Sequence, residues 1–180
     1  MQDAIICDLD GCLFYTAWIF DEIKKQGLSG EEKWDYFHRH VNDPRSLTCI
    51  EFKNFIKEML IEGIFVIFMT ARSEIIANET RSRLFEEFPE LTAKNHLIMM
   101  REYNDFDDAD IVKEKMLRNL QKQDKYSFIM AIDDELKNVE MFTRNQIIAK
   151  QWKINNNLDP KVKEKEENWH DNLVTPSNSF

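Results

Sequence analysis

With 180 residues and 43% hydrophobic content, the chain is long enough for one ordinary domain with a hydrophobic core. Its net charge of -9 opposes broad binding of duplex nucleic acid, which requires a basic patch or stripe. Three cysteines without a C-x-x-C pair argue against a disulfide framework or a zinc knuckle, and no apolar run reaches membrane-spanning length, so we expect a cytoplasmic protein.

Apolar runs alternate along the chain with segments of helical spacing. The runs predict buried strands at AIIC (4–7), IFVIFM (64–69), HLIMM (96–100), YSFIMAI (126–132) and QIIAKQW (146–152). The intervening segments predict amphipathic helices through Phe52, Phe55, Ile56, Met59 and Leu60; Ile76, Thr80, Leu84 and Phe88; Val112, Met116 and Leu120; and Leu136, Val139 and Phe142. We therefore predict an α/β fold, a doubly wound parallel sheet with helices on both faces.

Two segments depart from this alternation. Residues 13–47 are aromatic-rich and helical in pattern but too long for a crossover loop, so we predict a small helical cap inserted after the first strand. Its aromatic residues suit a small core of the cap or a surface that stacks on a base: Trp18, Phe20, Trp34, Tyr36 and Phe37. Residues 156–180 are polar and predict a surface helix and a loose tail, which leaves a main domain over residues 1–155.

Charged and hydroxyl side chains follow the predicted strands. They are Asp8 and Asp10 after the first strand, Thr70 and Arg72 after the second, Arg101 after the third, and Asp133 and Asp134 after the fourth. Lys113 lies at the start of the helix that precedes the fourth strand. Because ligands of open parallel sheets bind beyond the carboxyl ends of the strands, we expect these residues to meet at one edge.

The acids of this set predict a metal site. Neighbouring carboxylates raise each other's pKa unless a hard cation such as Mg²⁺, which takes oxygen ligands, lies between them. With the cation bound, an ionised Asp8 can attack an electrophile, and Asp10 directs a second carboxyl at the same centre for proton transfer. Gly11 allows the backbone to turn sharply after these two residues.

These residues carry a resemblance to a known family. The segment DLDGC, then Thr70, Lys113 and the segment AIDDE resemble, in order, the four motifs of the haloacid dehalogenase (HAD) superfamily of phosphotransferases. The resemblance implies that Asp8 is a nucleophile that forms an aspartyl-phosphate. It implies that Asp10 protonates the leaving oxygen and later activates water, and that Thr70 and Lys113 hold the phosphoryl oxygens.

The same resemblance implies the ligands of Mg²⁺. They are the carboxylate of Asp8, the main-chain carbonyl of Asp10 and the side chain of Asp133, with Asp134 as a further candidate. Cys12 stands where the superfamily usually has Thr, which changes the local hydrogen bonding after the turn.

A narrower resemblance covers the second half of the predicted fold. MMREYNDFDDADIVKEKML and AIDDELKNVEMFTRN are similar to the 3′-phosphatase domain of phage-type polynucleotide kinase-phosphatases. This implies that Arg72 and Arg101 contact substrate or phosphate and that the substrate is a 3′-phosphate on a nucleic-acid end. Asp107 replaces a basic residue of those enzymes and Ala109 replaces an acid, which lowers the local positive charge.

Other interpretations fit parts of the pattern. A nucleotidase acting on free mono- or deoxynucleotides suits the acidic surface and the cap. A non-catalytic phosphate-binding protein is opposed by the presence of Asp8, Asp10, Lys113 and Asp133. Asp133 and Asp134 suit a helix cap, and Arg72 and Arg101 suit pairing with surface acids. The sequence contains no G-x-x-x-x-G-K-[ST], so we expect a phosphatase without a kinase domain, and the sequence leaves its oligomeric state open.

Overall fold

The computed structural model of the chain describes residues 1–152 and the short strand Leu173–Val174. Within these residues the strands are β1 (Gln2–Cys7), β2 (Phe65–Ser73), β3 (His96–Arg101), β4 (Tyr126–Asp133), β5 (Ala149–Trp152) and β6 (Leu173–Val174). The helices are α1 (Ala17–Gln26), α2 (Gly30–His40), α3 (Ile50–Ile61), α4 (Ala77–Glu87), α5 (Ala109–Gln121) and α6 (Leu136–Arg144). Glu74–Ile76 forms a 3-10 turn before α4.

The strands form one sheet in the order β3-β2-β1-β4-β5-β6. The pairs from β3 to β5 are parallel, and β6 is antiparallel to β5. Because β1 lies between β2 and β4, the order of the strands reverses there, and a crevice opens beyond the end of β1. The predicted α/β fold with a parallel sheet is confirmed.

Alternate residues of β1 enter two different cores, as the two-residue period of a strand requires. Ile5 and Cys7 pack with residues of α3 and α4, and Ala4 and Ile6 pack with residues of α5 and α6. Both faces of the sheet are therefore covered by helices, which explains why the central strands are continuously apolar.

The segment after β1 forms the predicted helical cap. Its helices α1 and α2 share a separate apolar cluster that includes Ile19, Ile23, Phe37 and Val41, and Ile76 joins it from the main domain. The cap therefore has a core of its own and rests on the segment that follows β2.

Several elements differ from the prediction. β2 continues through Thr70 and Arg72 to Ser73, beyond the predicted end of the strand, and its register with β3 shifts after Met69. β3 is half-buried along its whole length, although we predict a buried strand, because it lies at the edge of the sheet.

The predicted domain boundary after residue 155 lies outside the described residues. So does most of the extension for which we predict a surface helix and a tail. Within that extension, Leu173–Val174 instead adds a strand to the sheet beside β5. Along the described part of the chain, none of the helices combines the length and the apolar character needed to cross a membrane.

Candidate active site

Asp8 is the first residue beyond β1, at the centre of the sheet. The register pairs Cys7 with Phe68 of β2 and with Ile132 of β4, so Asp8 lies beside the ends of both neighbouring strands. Its main-chain N–H donates to the carbonyl of Ile132 at 3.0 Å, which continues the strand pairing by one bond. The predicted convergence of strand ends therefore occurs around Asp8.

Lys113 of α5 bridges two acids of this edge. Its Nζ donates to Oδ1 of Asp8 at 2.6 Å and to Oδ2 of Asp133 at 2.7 Å, and all three side chains are buried. Burial alone lowers the pKa of Lys113, but the two carboxylates outweigh burial and raise that pKa, so the residue stays charged. The Lys113 ammonium therefore compensates the negative charges of two buried carboxylates.

The second oxygen of Asp133 is also held. Its Oδ1 accepts from the Glu135 N–H at 3.1 Å and from the Asn138 side-chain amide at 2.8 Å. Asp133 thus both begins the turn into α6 and fixes the position of Lys113. The two interpretations of this acid, a turn residue and a site residue, describe the same carboxylate.

Asp10 forms a two-point ion pair with Arg72. Nε and Nη2 of Arg72 each donate to a different oxygen of Asp10 at 2.7 Å. The buried guanidinium also donates to Thr80 at 3.3 Å and to Asn42 at 3.4 Å, and the Arg72 N–H donates to Oγ1 of Thr70 at 3.1 Å. The fork restricts the orientation of the Asp10 carboxylate, and Arg72 links it to Thr70, α4 and the end of the cap.

Asp8, Asp134 and Cys12 form the group best placed to hold a metal ion among the described residues. One ligand atom of each lies within 4.8 Å of the others. Burial first, and neighbouring acids second, raise the pKa of Asp134 to about 9. Burial likewise raises the pKa of Asp8 to about 7, although Lys113 opposes the shift. Two carboxyl groups that resist ionisation next to each other fit a site completed by a hard cation.

Gly11 keeps space for Asp134. Its φ is +84°, a conformation that favours glycine, and a Cβ on Gly11 would overlap with the carboxylate of Asp134. The glycine therefore permits both the turn after Asp10 and the approach of Asp134 to Asp8. Cys12 contributes less to such a site, because burial raises its thiol pKa and a hard cation prefers oxygen.

The structure thus places Asp134, rather than Asp133, in the candidate metal group with Asp8. Both oxygens of Asp133 accept hydrogen bonds from the chain itself. The implied roles of Asp133 and Asp10 at Mg²⁺ stay predictions.

Arg101 lies at the end of β3 and binds the backbone. Its Nε donates to the carbonyl of Ala71 at 3.0 Å, and Nη1 donates to the carbonyls of Asp105 at 3.0 Å and Asp107 at 2.6 Å. These bonds hold the loop after β3 against β2. The role of Arg101 as a substrate contact stays a prediction.

Sequence reasoning missed three residues that support the site. Asn138 donates to Asp133, Gln151 donates to the main-chain carbonyl of Asp134 at 2.8 Å, and Asn42 accepts from Arg72. Asn138 carried a signal, since it is a polar residue one position before Val139 on the buried side of α6. Gln151 and Asn42 carried no such signal, because each bonds to a residue that is distant from it in the sequence.

Comparison with known proteins places the chain among phosphatase domains. The family model described as the polynucleotide kinase PNKP phosphatase domain matches residues 2–157. The comparison with curated proteins finds no match.

Solved structures share the fold at low identity. A chain of the Pnkp1/Rnl/Hen1 RNA repair complex has a TM-score of 0.63 and 23% identity, covering 87% of this chain and 44% of that one. A chain from another structure of a Pnkp1/Rnl/Hen1 complex has a TM-score of 0.61 and 22% identity, covering 85% and 46%. The class C acid phosphatase from Bacillus anthracis has a TM-score of 0.58 and 16% identity, covering 81% and 61%.

This chain spans less than half the length of the repair-complex chains that it matches. The family model nevertheless matches most of the sequence and includes every residue of the site described above. The chain therefore belongs to the HAD-type family of PNKP phosphatase domains.

Proposed function

We propose that the chain removes 3′-phosphates from nucleic-acid ends in a Mg²⁺-dependent reaction that passes through an aspartyl-phosphate on Asp8. The observation that carries this proposal is the buried bridge of Lys113 between Asp8 and Asp133 at the end of β1. The bridge anchors the Asp8 carboxylate, and the Lys113 ammonium beside it can also bind a phosphoryl oxygen.

In the first step, a carboxylate oxygen of Asp8 attacks phosphorus, and the bond from phosphorus to the 3′ oxygen breaks. Asp10 gives its proton to that leaving oxygen, so the nucleic-acid product carries a 3′-hydroxyl. The Thr70 hydroxyl and the Lys113 ammonium donate to the phosphoryl oxygens and stabilise the charge on them.

In the second step, water attacks phosphorus, Asp10 takes a proton from the water, and the bond between Asp8 and phosphorus breaks. Arg72 positions Asp10 for both steps. Because Arg72 binds both oxygens of Asp10, the exchanged proton uses a lone pair that the guanidinium leaves open. The phosphate of an arriving substrate offers the guanidinium a second anion, which weakens its pairing with Asp10.

The acids around Asp8 fit Mg²⁺. Asp8 and Asp134 supply carboxylate oxygens on one side, and their raised pKa values indicate that a cation is needed for both to ionise. The family resemblance adds Asp133 and the Asp10 carbonyl to this set. When bound, the ion neutralises the negative charge of the phosphate and of the acids.

The substrate class rests on the family. Its description names a polynucleotide kinase phosphatase domain, and the Pnkp1/Rnl/Hen1 chains belong to a complex described as one of RNA repair. A nucleotidase is the second candidate, because the net charge of -9 and a cap beside the site favour a small substrate over a strand. We also propose action in the cytoplasm, which the reduced thiols of Cys7 and Cys12 support.

Phosphate release tests the proposal. The substrates are a 3′-phosphorylated oligonucleotide, the same oligonucleotide with a 5′-phosphate, and 3′- and 5′-mononucleotides, each with Mg²⁺ and with EDTA. We expect the 3′-phosphorylated oligonucleotide to have the highest kcat/KM, EDTA to abolish release, and Asp8→Asn to be inactive.

Asp3→Asn is the matched control, because Asp3 is an exposed acid at the start of β1; this variant should retain full activity. Faster turnover of mononucleotides would instead assign the chain to nucleotide metabolism. Equal activity of Asp8→Asn and the wild type would remove Asp8 from the mechanism.

A further inference from the structure

The C-terminal end of α2 contacts the active site. Asn42, just beyond the end of the helix, accepts a hydrogen bond from Arg72 at 3.4 Å, and Arg72 in turn holds Asp10. The side of α2 that continues from Asn42 therefore borders the opening above Asp10.

His38 lies four residues before Asn42, one turn away along the same side of the chain. Its ring is half-buried, and the charges of Asp35, Arg72, Arg101 and Asp10 act on it. His38 thus lies on the same side of α2 as Asn42, the residue that bonds to Arg72. Within residues 1–152 its ring nitrogens have no hydrogen-bond partner, so both can serve a ligand.

Trp34 lies one further turn from the site, about 6 Å along the helix axis from His38. Although it is a large aromatic residue, 47% of its surface is exposed. Its ring is fixed against Phe37 at a centroid distance of 6.2 Å, and the ammonium of Lys33 lies 4.7 Å from its centre. An anchored, exposed indole next to a cation is the combination with which proteins bind single strands.

We propose that His38 and Trp34 form the surface that positions the nucleic-acid strand, with His38 contacting the terminal nucleoside and Trp34 stacking on the base next to it. This inference rests on the proposed function and names the residues that distinguish a strand from a mononucleotide. The net charge of the chain opposes strand binding through the backbone, so contacts to the faces of the bases supply affinity that phosphate contacts do not.

Other cap aromatics are already occupied. The indole N–H of Trp18 donates to Ser46 at 3.1 Å, and the guanidinium of Arg45 lies 3.7 Å from the centre of its ring. Tyr36 stacks on His40 with a centroid distance of 4.0 Å. These side chains hold the cap together. Two large cap aromatics stay exposed, Trp34 at 47% and Phe20 at 40%, and of these two Trp34 lies on α2, the helix that leads to the site.

The test compares substrates of increasing length in Trp34→Ala, His38→Ala and the wild type. They are p-nitrophenyl phosphate, a 3′-mononucleotide, and 3′-phosphorylated oligonucleotides of two or more nucleotides. For Trp34→Ala we expect kcat/KM for the oligonucleotides to fall about tenfold relative to kcat/KM for the mononucleotide, through KM. For His38→Ala we also expect kcat/KM for the mononucleotide to fall relative to kcat/KM for p-nitrophenyl phosphate.

Phe106→Ala is the matched control. Phe106 is 85% exposed and lies in the loop between β3 and α5, so its loss removes an exposed aromatic ring without changing α2. A second readout is the affinity of the Asp8→Asn variant for a fluorescent 3′-phosphorylated oligonucleotide. Adding Trp34→Ala to this variant should weaken that affinity about tenfold.

An unchanged oligonucleotide KM in Trp34→Ala, or a larger effect of Phe106→Ala, would overturn the inference while leaving the phosphatase proposal intact. If the wild type releases phosphate from small substrates but from no oligonucleotide, the proposed function itself fails, and the inference fails with it.

Discussion

Replacing Lys113 by Met removes a buried charge and keeps most of the side-chain volume. In the wild type the Lys113 ammonium bonds to Asp8 at 2.6 Å and to Asp133 at 2.7 Å, with all three groups shielded from water. Removing one partner of a buried ion pair leaves an uncompensated charge and costs about 3–5 kcal/mol. For a chain of this size, that corresponds to a fall in Tm of roughly 6–20 °C.

Urea unfolding in EDTA measures this cost without interference from metal. The matched control is Lys115→Met, two residues along the same helix, where the ammonium bonds to Asp105 and Asp107 at the surface. Because water and salt screen that group, Lys115→Met should leave the free energy of unfolding nearly unchanged.

A double variant tests the cause of the loss. With Lys113→Met in place, Asp8→Asn removes one of the two uncompensated carboxylates and should recover part of the lost stability, while Asp133 keeps its bonds to Glu135 and Asn138. The reasoning is wrong if Lys113→Met costs no more than Lys115→Met, or if adding Asp8→Asn lowers stability further.

Three further predictions concern the acids of the site. The pKa values of Asp8 (about 7) and Asp134 (about 9) lie above the ordinary value of 3.8, so ionising these acids destabilises the folded state. The stability of the metal-free protein should therefore fall as the pH rises from about 4 towards 9. Mg²⁺ should raise Tm more at about pH 8 than at about pH 5. Thermal melts in which Mg²⁺ raises Tm equally at both pH values would contradict this. Gly11→Ala should lose more than about 1 kcal/mol and weaken Mg²⁺ binding in calorimetry, because its Cβ displaces Asp134; an unchanged affinity would show that Asp134 does not bind the ion. Asn138→Ala should lower kcat about 10- to 100-fold with the fold intact by circular dichroism, since Asp133 loses its amide donor, and a wild-type rate would make that bond dispensable.

The sheet and the position of Asp8 could be predicted because they depend on local patterns. Short apolar runs set the strands, and the carboxyl ends of parallel strands meet at one edge. The motif order predicts that Lys113 holds phosphoryl oxygens at this edge; the structure places it there with bonds to Asp8 and Asp133, and its role towards phosphate stays a prediction.

The finer geometry of the acids could not be predicted from the sequence. Successive side chains at a strand end point to opposite sides, so which of Asp133 and Asp134 faces Asp8 depends on the residue at which β4 ends. The pair of Asp10 and Arg72 joins residues 62 positions apart and depends on how β2 extends past Met69. Neither feature has a local signal.

The short strand β6 also escaped prediction. A strand of two residues, Leu173–Val174, lies in a polar segment without alternation, and it forms through pairing with β5 rather than through its own sequence preference. By contrast, the cap was predictable as an insertion because residues 13–47 exceed the length of a crossover loop.

Transfer of phosphate to the protein tests the central claim most directly. A 3′-radiophosphorylated oligonucleotide is mixed with the phosphatase and Mg²⁺, the reaction is quenched in acid within one turnover, and the labelled peptide is identified. We predict label on Asp8 that hydroxylamine releases, as it does from an acyl phosphate, and no label in Asp8→Asn. Phosphate release without labelled protein, or label on another residue, would contradict the account.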